Sequence, residues 1–382
     1  MKRSAFIALA SMTLAWGQPE NAMNADHSEC AYFGPKRAQF METSLAAARR
    51  SVSYETEAVV ARLGPQQFVP GGSRTNSSLQ SSSSGNVVDK HIFGVLQAKG
   101  IEPAARANDY EFVRRVSLDL TGRVPSPERV TAFVSDGDPD KRAKYVDELL
   151  NSTEWVDKWA MYFGDLYKNT DQVRATNTLR RAEGREAFYN WIYSSLKDGK
   201  PYNRMAFELI AAEGQNSWTQ GELNWQVGNR TTGGPVQDHF DQMAASTMET
   251  FLGNSHFNCI VCHNGRGHVD TLSLWGKSSS RMQAYGFAAF FAQATFVQQP
   301  RDQRPDPNIY YWTLGLNRTG TYALNTTTGN RPPRQAVGGA RVATPAYPFG
   351  EGLTANAGEP LRAAAARLVT TDFNFSRATV NY

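Results

Sequence analysis

Cys259-Ile260-Val261-Cys262-His263 is the segment of this chain whose residue types and spacing could do chemistry. It reads C-x-x-C-H, the attachment pattern of c-type haem. Two thiols three positions apart share one face of a helical turn, with about 5–6 Å between their Cβ atoms. From there both can reach the two vinyl groups on one edge of a porphyrin. The adjacent imidazole can then swing under the ring as the proximal iron ligand. With three Cys and six His in 382 residues, chance supplies such a match on the order of once in a thousand chains of this composition. A vicinal redox disulfide or half of a zinc site would use the same residues. Zinc needs two more Cys or His ligands at similar spacing, and no second Cys pair exists in the sequence.

His263 is the expected proximal ligand, and the group on the other face of the iron would set the function. A Met or His there saturates the iron and suits electron transfer, whereas an open face suits ligand binding or peroxide chemistry. Met248 and Met282 are the leading distal candidates, followed by His268, with Met243 and His239 behind them. Each methionine taken singly reads better as ordinary core. His268 follows His263 by five residues, a short path around a porphyrin. His256 lies on the same local turn as Cys259 and so on the wrong face. Arg266, on a Gly-flanked loop, could pair a haem propionate. No G-x-S-x-G, H-E-x-x-H or P-loop is present. Asp119, Asp165 and Glu208 read as caps or ion pairs, and Arg114 and Arg115 with Asp119 as a structural salt-bridge cluster.

The N-terminus carries a second, independent signal. Lys2 and Arg3 form a charged start, residues 5–16 an apolar stretch, and Ala15-Trp16-Gly17 a small-residue cleavage site. Twelve apolar residues are too few to span a bilayer, and there is no twin-arginine pair. The expectation is a signal peptide over 1–17, export in the unfolded state, haem attachment in a bacterial periplasm, and a final location there or outside the cell. No later stretch reads as transmembrane. The formal charge of +4, which falls to +2 without Lys2 and Arg3, excludes a polyanion-binding signature. Cys30 is left over as a bystander.

The elements that must position the motif are mostly helical. Residues 18–86 are polar and end in Gly71-Gly72-Ser73 and a serine run, which reads as a flexible tether with one short helical candidate at 36–62. From 87 onward apolar residues recur at helical spacing. Ser126-Pro127 is an N-cap followed by proline at the first helical position, and Ser152 opens a helix through Trp155, Trp159, Phe163 and Leu166. Further helices are expected at 185–197, 203–212, 238–253, 279–296 and 358–369. Ile309–Leu314 and Thr321–Leu324, flanking Asn317-Arg318-Thr319-Gly320, read as a β-hairpin. The fold class is mainly α, a helical cytochrome-like domain with a small β-hairpin excursion.

Several segments occur in an order that resembles a known family. Arg114-Arg115-Val116-Ser117-Leu118-Asp119-Leu120-Thr121-Gly122, then Val124-Pro125-Ser126-Pro127, is similar to the R-R-x-x-x-D-L-T-G-x-x-P-[ST]-P signature of planctomycete-type cytochrome-like proteins, which carry domain of unknown function 1549 followed by domain of unknown function 1553. Trp159, Asp165-Leu166, Lys200-Pro201-Tyr202-Asn203-Arg204 and Phe251-Leu252-Gly253 extend the resemblance over roughly 87–300. It implies an exported protein with a c-haem site and no known reaction. The family often continues the motif with Asp-His-Lys, which would put a second His at 265. Here Gly265 stands there and a His appears at 268 instead. Leu361–Ala365 and Phe375–Asn381 resemble the opening of the second domain, so the chain is expected to be truncated or a fragment.

These readings divide the chain into a signal peptide (1–17), a tether (18–86), a helical domain with the c-haem motif (87–300), a hairpin and loop insertion (301–345) and the start of a second helical domain (346–382). The expected function is that of an exported mono-haem electron carrier with covalent haem c, working with a redox partner protein or domain. No nucleic acid and no membrane span are expected. The alternatives are a haem-dependent oxidative enzyme completed by a further domain, and a scaffold in which haem is structural.

Overall fold

A computed structural model describes residues 87–103, 106–173, 178–270, 275–300, 310–329 and 331–382. The expected signal peptide, the tether, its helical candidate and Cys30 lie outside the described residues.

The first part of the described chain is a run of helices: α1 (Val87–Ala98), α2 (Asp109–Thr121), α3 (Pro127–Ser135), α4 (Lys141–Leu150) and α5 (Thr153–Leu166). Their boundaries follow from side chains that satisfy orphan backbone donors. Asn108 and Glu111 form a reciprocal capping box at the start of α2, and Gly122 ends it in the left-handed conformation. Ser126 caps α3 with Pro127 in its first turn, and Ser152 caps α5. Helices α2, α3 and α4 enclose a small core of Val113, Phe133 and Tyr145. There the Ser117 and Tyr145 hydroxyls are hydrogen-bonded at 2.8 Å.

The larger core begins at α5. It is built by a two-residue ladder of β1 (Gln172–Val173) with β2 (Thr178–Leu179), then α6 (Arg181–Lys197), α7 (Tyr202–Ala211), α8 (Leu223–Gly228) and α9 (Val236–Leu252). Helix α9 is buried nearly all round, with Met243, Ala244 and Met248 fully covered, the condition of a helix enclosed by its neighbours. Gly253 terminates it at φ 65°. The short α10 (Phe257–Ile260) follows and carries the first half of the C-x-x-C-H segment.

Beyond it lie a 3-10 turn (276–278), α11 (Arg281–Ala288), a second 3-10 turn (289–291), β3 (Ala294–Pro300), β4 (Tyr310–Leu316), β5 (Tyr322–Ala323), β6 (Val342–Ala343), α12 (Leu361–Thr371) and α13 (Phe373–Asn381). The described residues are therefore mainly α with three two-stranded antiparallel sheets. Among them no helix is long and apolar enough to cross a membrane.

Two expectations change in detail. The helix at 279–296 stops at 288, and 294–300 is a strand. The hairpin is formed by β3 and β4, with Phe296 opposite Leu314, while β5 pairs with β6. The reason is visible at the loop between β4 and β5. Gly320 lies against the Ala292 carbonyl, where a Cβ would approach to 2.3 Å, so the chain crosses over the end of the 3-10 turn instead of folding back. The free edge of β4 is taken up by Gly214, whose amide and carbonyl pair with Leu314 at 3.0 and 2.9 Å, and by Ser217, whose amide donates to Trp312 at 3.0 Å.

Candidate functional site: the C-x-x-C-H turn and its arginine strap

Three apolar side chains fix the turn. Phe257, Ile260 and Val261 are fully buried, and Phe257 stacks on Trp275 with centroids 5.6 Å apart. Anchoring these residues inward turns Cys259 and Cys262 toward the half-buried side. The Cys262 and His263 amides both donate to the Cys259 carbonyl, at 3.0 and 3.1 Å, so the thiols stand one turn apart. They are not joined in a disulfide.

His263 is only 3% exposed. Its Nδ1 lies 2.8 Å from the Asn264 carbonyl oxygen. A carbonyl can only accept, so Nδ1 carries a proton and donates it. In the neutral ring Nε2 then holds the lone pair, the arrangement a metal-binding imidazole needs. The loop behind it is tied down at two points. The Gly265 amide donates to Ser279 at 2.8 Å, and the Arg281 amide donates to Asn264 Oδ1 at 2.9 Å. At Gly265 a Cβ would lie 1.6 Å from the Gly276 carbonyl oxygen. No side chain fits at 265 while the loop keeps this course. His268 instead packs its ring against His263, centroids 4.2 Å apart.

The distal candidates are dispersed. Met243 and Met248 are core residues of α9, fully covered. Met282 is half-buried on the helix whose first residue is tied to the motif loop through Asn264. His239 Nδ1 is 2.8 Å from the Thr231 hydroxyl, its ring edge-on to Phe296. Burial, with Arg230 adding to it against the opposing pull of Asp238, pushes its pKa down to about 4. His256 is half-buried, just ahead of α10, and Arg266 is exposed on the loop. Glu208 is held by Lys200 and Arg204 at 2.7 and 2.9 Å, as its ion-pair reading expects. Asp119 and Asp165 are exposed. The expected salt-bridge cluster around Asp119 is not formed. Arg114, Arg115 and Asp119 are exposed and make no ion pair among the described residues. The acid of α2 that pairs is Asp109, held by Lys141 and Arg142, each at 2.7 Å.

The arginine at the motif is one that sequence spacing does not reveal. Arg331 directs Nη1 at the Cys262 sulfur, 3.7 Å away, and donates from Nη2 to Asn258 Oδ1 at 3.0 Å. Three residues on, Arg334 is buried between Asp238 and Asp241 of α9, at 2.6 Å from each. Its Nε donates to the Tyr322 hydroxyl at 2.9 Å, and that hydroxyl donates to Asp241 at 2.7 Å. Burial opposes the charge on Arg334, but Asp241, Tyr322 and Asp238 outweigh it and hold the guanidinium firmly protonated. The pair therefore pins the 331–334 strap across α9 and sets Arg331 over the thiol.

Tyr285 stacks on Tyr322 at 5.2 Å. Burial raises its pKa above the ordinary tyrosine value, and Cys262 lies within electrostatic reach of it. Its buried hydroxyl has no hydrogen-bond partner among the described residues. Two thiols on one turn, an oriented imidazole and an unsatisfied hydroxyl near one of the thiols form a donor set that fits covalent haem. No group of three or more His, Cys, Asp or Glu suited to a metal ion by themselves occurs among the described residues.

The profile of a family described as "Protein of unknown function (DUF1549)", PSCyt2, matches residues 87–295. No curated protein and no solved structure matches the chain. The matched span runs from α1 into β3 and contains the whole C-x-x-C-H turn, which places this chain in the PSCyt2 family.

Proposed function

We propose that this chain is an exported c-type haem protein that passes electrons to or from a redox partner in the periplasm or outside the cell. The reading rests on one observation above the others: Cys259 and Cys262 flank a single turn that runs directly into His263, whose Nδ1 is committed to a backbone carbonyl. The resemblance to cytochrome-like proteins in the segments around the motif supports it.

Bound haem would supply one-electron chemistry at its iron. The chain's own residues supply the attachment and the setting. Cys259 and Cys262 would add their S–H bonds across the two vinyl groups, giving two thioethers with no leaving group. His263 would present Nε2, its ring direction fixed by the Asn264 carbonyl and its basicity raised by that hydrogen bond. Because His263 is almost fully covered, the side chains over it must part for a porphyrin to lie against Nε2. Met282 would be a candidate to supply a thioether to bound haem, since α11 starts on the motif loop. Arg331 would keep a positive charge beside the Cys262 thioether and so favour the reduced iron.

The test is a pyridine-haemochrome assay and a denaturing haem stain on protein matured with c-haem machinery, beside Cys259→Ala/Cys262→Ala. Covalent haem in the wild type and none in the double variant is the expected result. Absence of haem from correctly exported wild-type protein would end the proposal. A low-spin spectrum is expected of a carrier. A high-spin spectrum that changes with carbon monoxide or peroxide would assign the site to oxidative catalysis instead.

A further inference from the structure

We propose that a small, partly open cavity beside Arg180, on the α8–α9 side of the molecule, is a binding site for a monovalent anion of about the size of chloride. The cavity is lined by Arg180, Trp225, Gly228, Asn229, Gln242 and Ser246, among others, and leaves the centre of a water-sized sphere about 30 Å³ in which to move. That is a small volume, on the scale of a single water molecule or monatomic ion.

Charge is the first argument. Arg180 is 2% exposed. Its guanidinium donates to three backbone carbonyls, Asn224 from Nε at 2.8 Å and Lys168 and Thr170 from Nη1 at 2.7 and 3.1 Å. Among the described residues no carboxylate pairs with it. Two other deeply buried arginines do face an acid: Arg334 has two aspartates at 2.6 Å, and Arg362 has Glu213 at 3.6 Å. A buried cation without a counter-charge is costly, and burial alone pushes Arg180 down to about 9. An anion in the adjoining cavity supplies the missing charge.

Hydrogen bonding is the second argument, and it is independent of the first. Trp225, 2% exposed, has its indole Nε1 buried with no acceptor among the described residues. An indole N–H can only donate. Two residues that line the cavity thus lack a partner: Trp225 an acceptor for its buried indole N–H, and Arg180 a carboxylate among the described residues. The backbone is shaped to this arrangement. A Cβ at Gly228 would fall 1.8 Å from Arg180 Nη2, so only glycine lets the guanidinium lie flat against that wall. A water molecule could accept from Trp225 but would leave the charge uncompensated.

Two readouts on the full chain test this, and neither depends on haem. In crystals grown in sodium bromide, an anomalous peak is expected within hydrogen-bond distance of Arg180 Nη2. In solution, replacing gluconate by chloride at constant ionic strength should raise Tm by about 2–4 °C. Arg180→Gln and Trp225→Phe should each abolish that rise. Trp225→Phe keeps an aromatic ring in the core but loses the pyrrole ring with its donor; it leaves Arg180 in place, so it carries the comparison if Arg180→Gln fails to fold. No bromide peak at Arg180, or a chloride response that survives in Trp225→Phe, would overturn the proposal.

Discussion

Arg334, Asp238 and Asp241 form a charged triad with no exposure of any of the three side chains. Replacing Arg334 by Met would leave two carboxylates in the core beside the more distant Arg331, whose Nε is 3.6 Å from Asp241. Removing one side of such a pair destabilises by about 3–5 kcal/mol. Urea unfolding of Arg334→Met should show a loss of that size, and a loss under about 1 kcal/mol, the value of an exposed pair, would contradict the triad's role. The acids stand three positions apart on one helix, a spacing that shares a face. Their partner cannot be read from that spacing, because Arg334 lies more than ninety residues away and nothing local marks it. Arg331 is hidden from sequence spacing for the same reason, whereas Arg266 stands out only because it is near the motif in sequence.

His239 gives a pH prediction at the same scale. Its pKa, 6.5 when unperturbed, is pushed down to about 4 in the folded chain. Between those values the unfolded chain binds more protons, so stability is full above the unfolded pKa and is lost as pH falls toward about 4. The urea midpoint should drop over that window, and His239→Gln should make the drop shallower. An identical pH profile in the two proteins would show that His239 titrates normally.

At the level of elements, the motif loop is the part most sensitive to a single methyl group. Gly265→Ala would force the Gly276 carbonyl or the motif turn to shift, since the added Cβ meets that oxygen at 1.6 Å. A destabilisation of about 1–3 kcal/mol is expected for overpacking of this kind, with weaker haem retention in protein matured with attachment machinery. Unchanged denaturation midpoints would mean that the loop is looser than its hydrogen bonds to Ser279 and Asn264 indicate.

The caps at Ser126 and Ser152 were legible because a cap is a local event: one side chain satisfies an amide three residues on. The strand at 294–300 was not. Phe290 and Phe291 continue the aromatic spacing of α11, so periodicity alone runs the helix past its end. What ends it is the pairing of Phe296 and Val297 with Leu314 and Thr313, a contact between distant segments. Likewise, Tyr310–Leu314 announced a strand by composition, but its partners depend on Gly214 and Ala294–Pro300.

Across the whole molecule, the C-terminal helices share the core that holds the motif. Ala364, Ala365, Ala366, Leu368 and Val369 of α12 belong to the same buried cluster as Met205 and Leu209 of α7 and Phe257 and Ile260 of α10. Phe375 of α13 stacks on Tyr202 at 5.2 Å. A chain ending at residue 345 would expose these surfaces and is expected to lose cooperative unfolding or to aggregate. A truncated chain that unfolds in one sharp transition at the full-length midpoint would show instead that residues 346–382 are a separable unit.

The account turns on whether the C-x-x-C-H turn carries covalent haem. The measurement that tests it most directly is the pyridine-haemochrome spectrum of wild-type protein matured with c-haem machinery, compared with Cys259→Ala/Cys262→Ala. The account predicts one haem per chain, resistant to acid-acetone extraction in the wild type and absent from the variant. Wild-type protein that is exported and folded, yet free of haem, would contradict it.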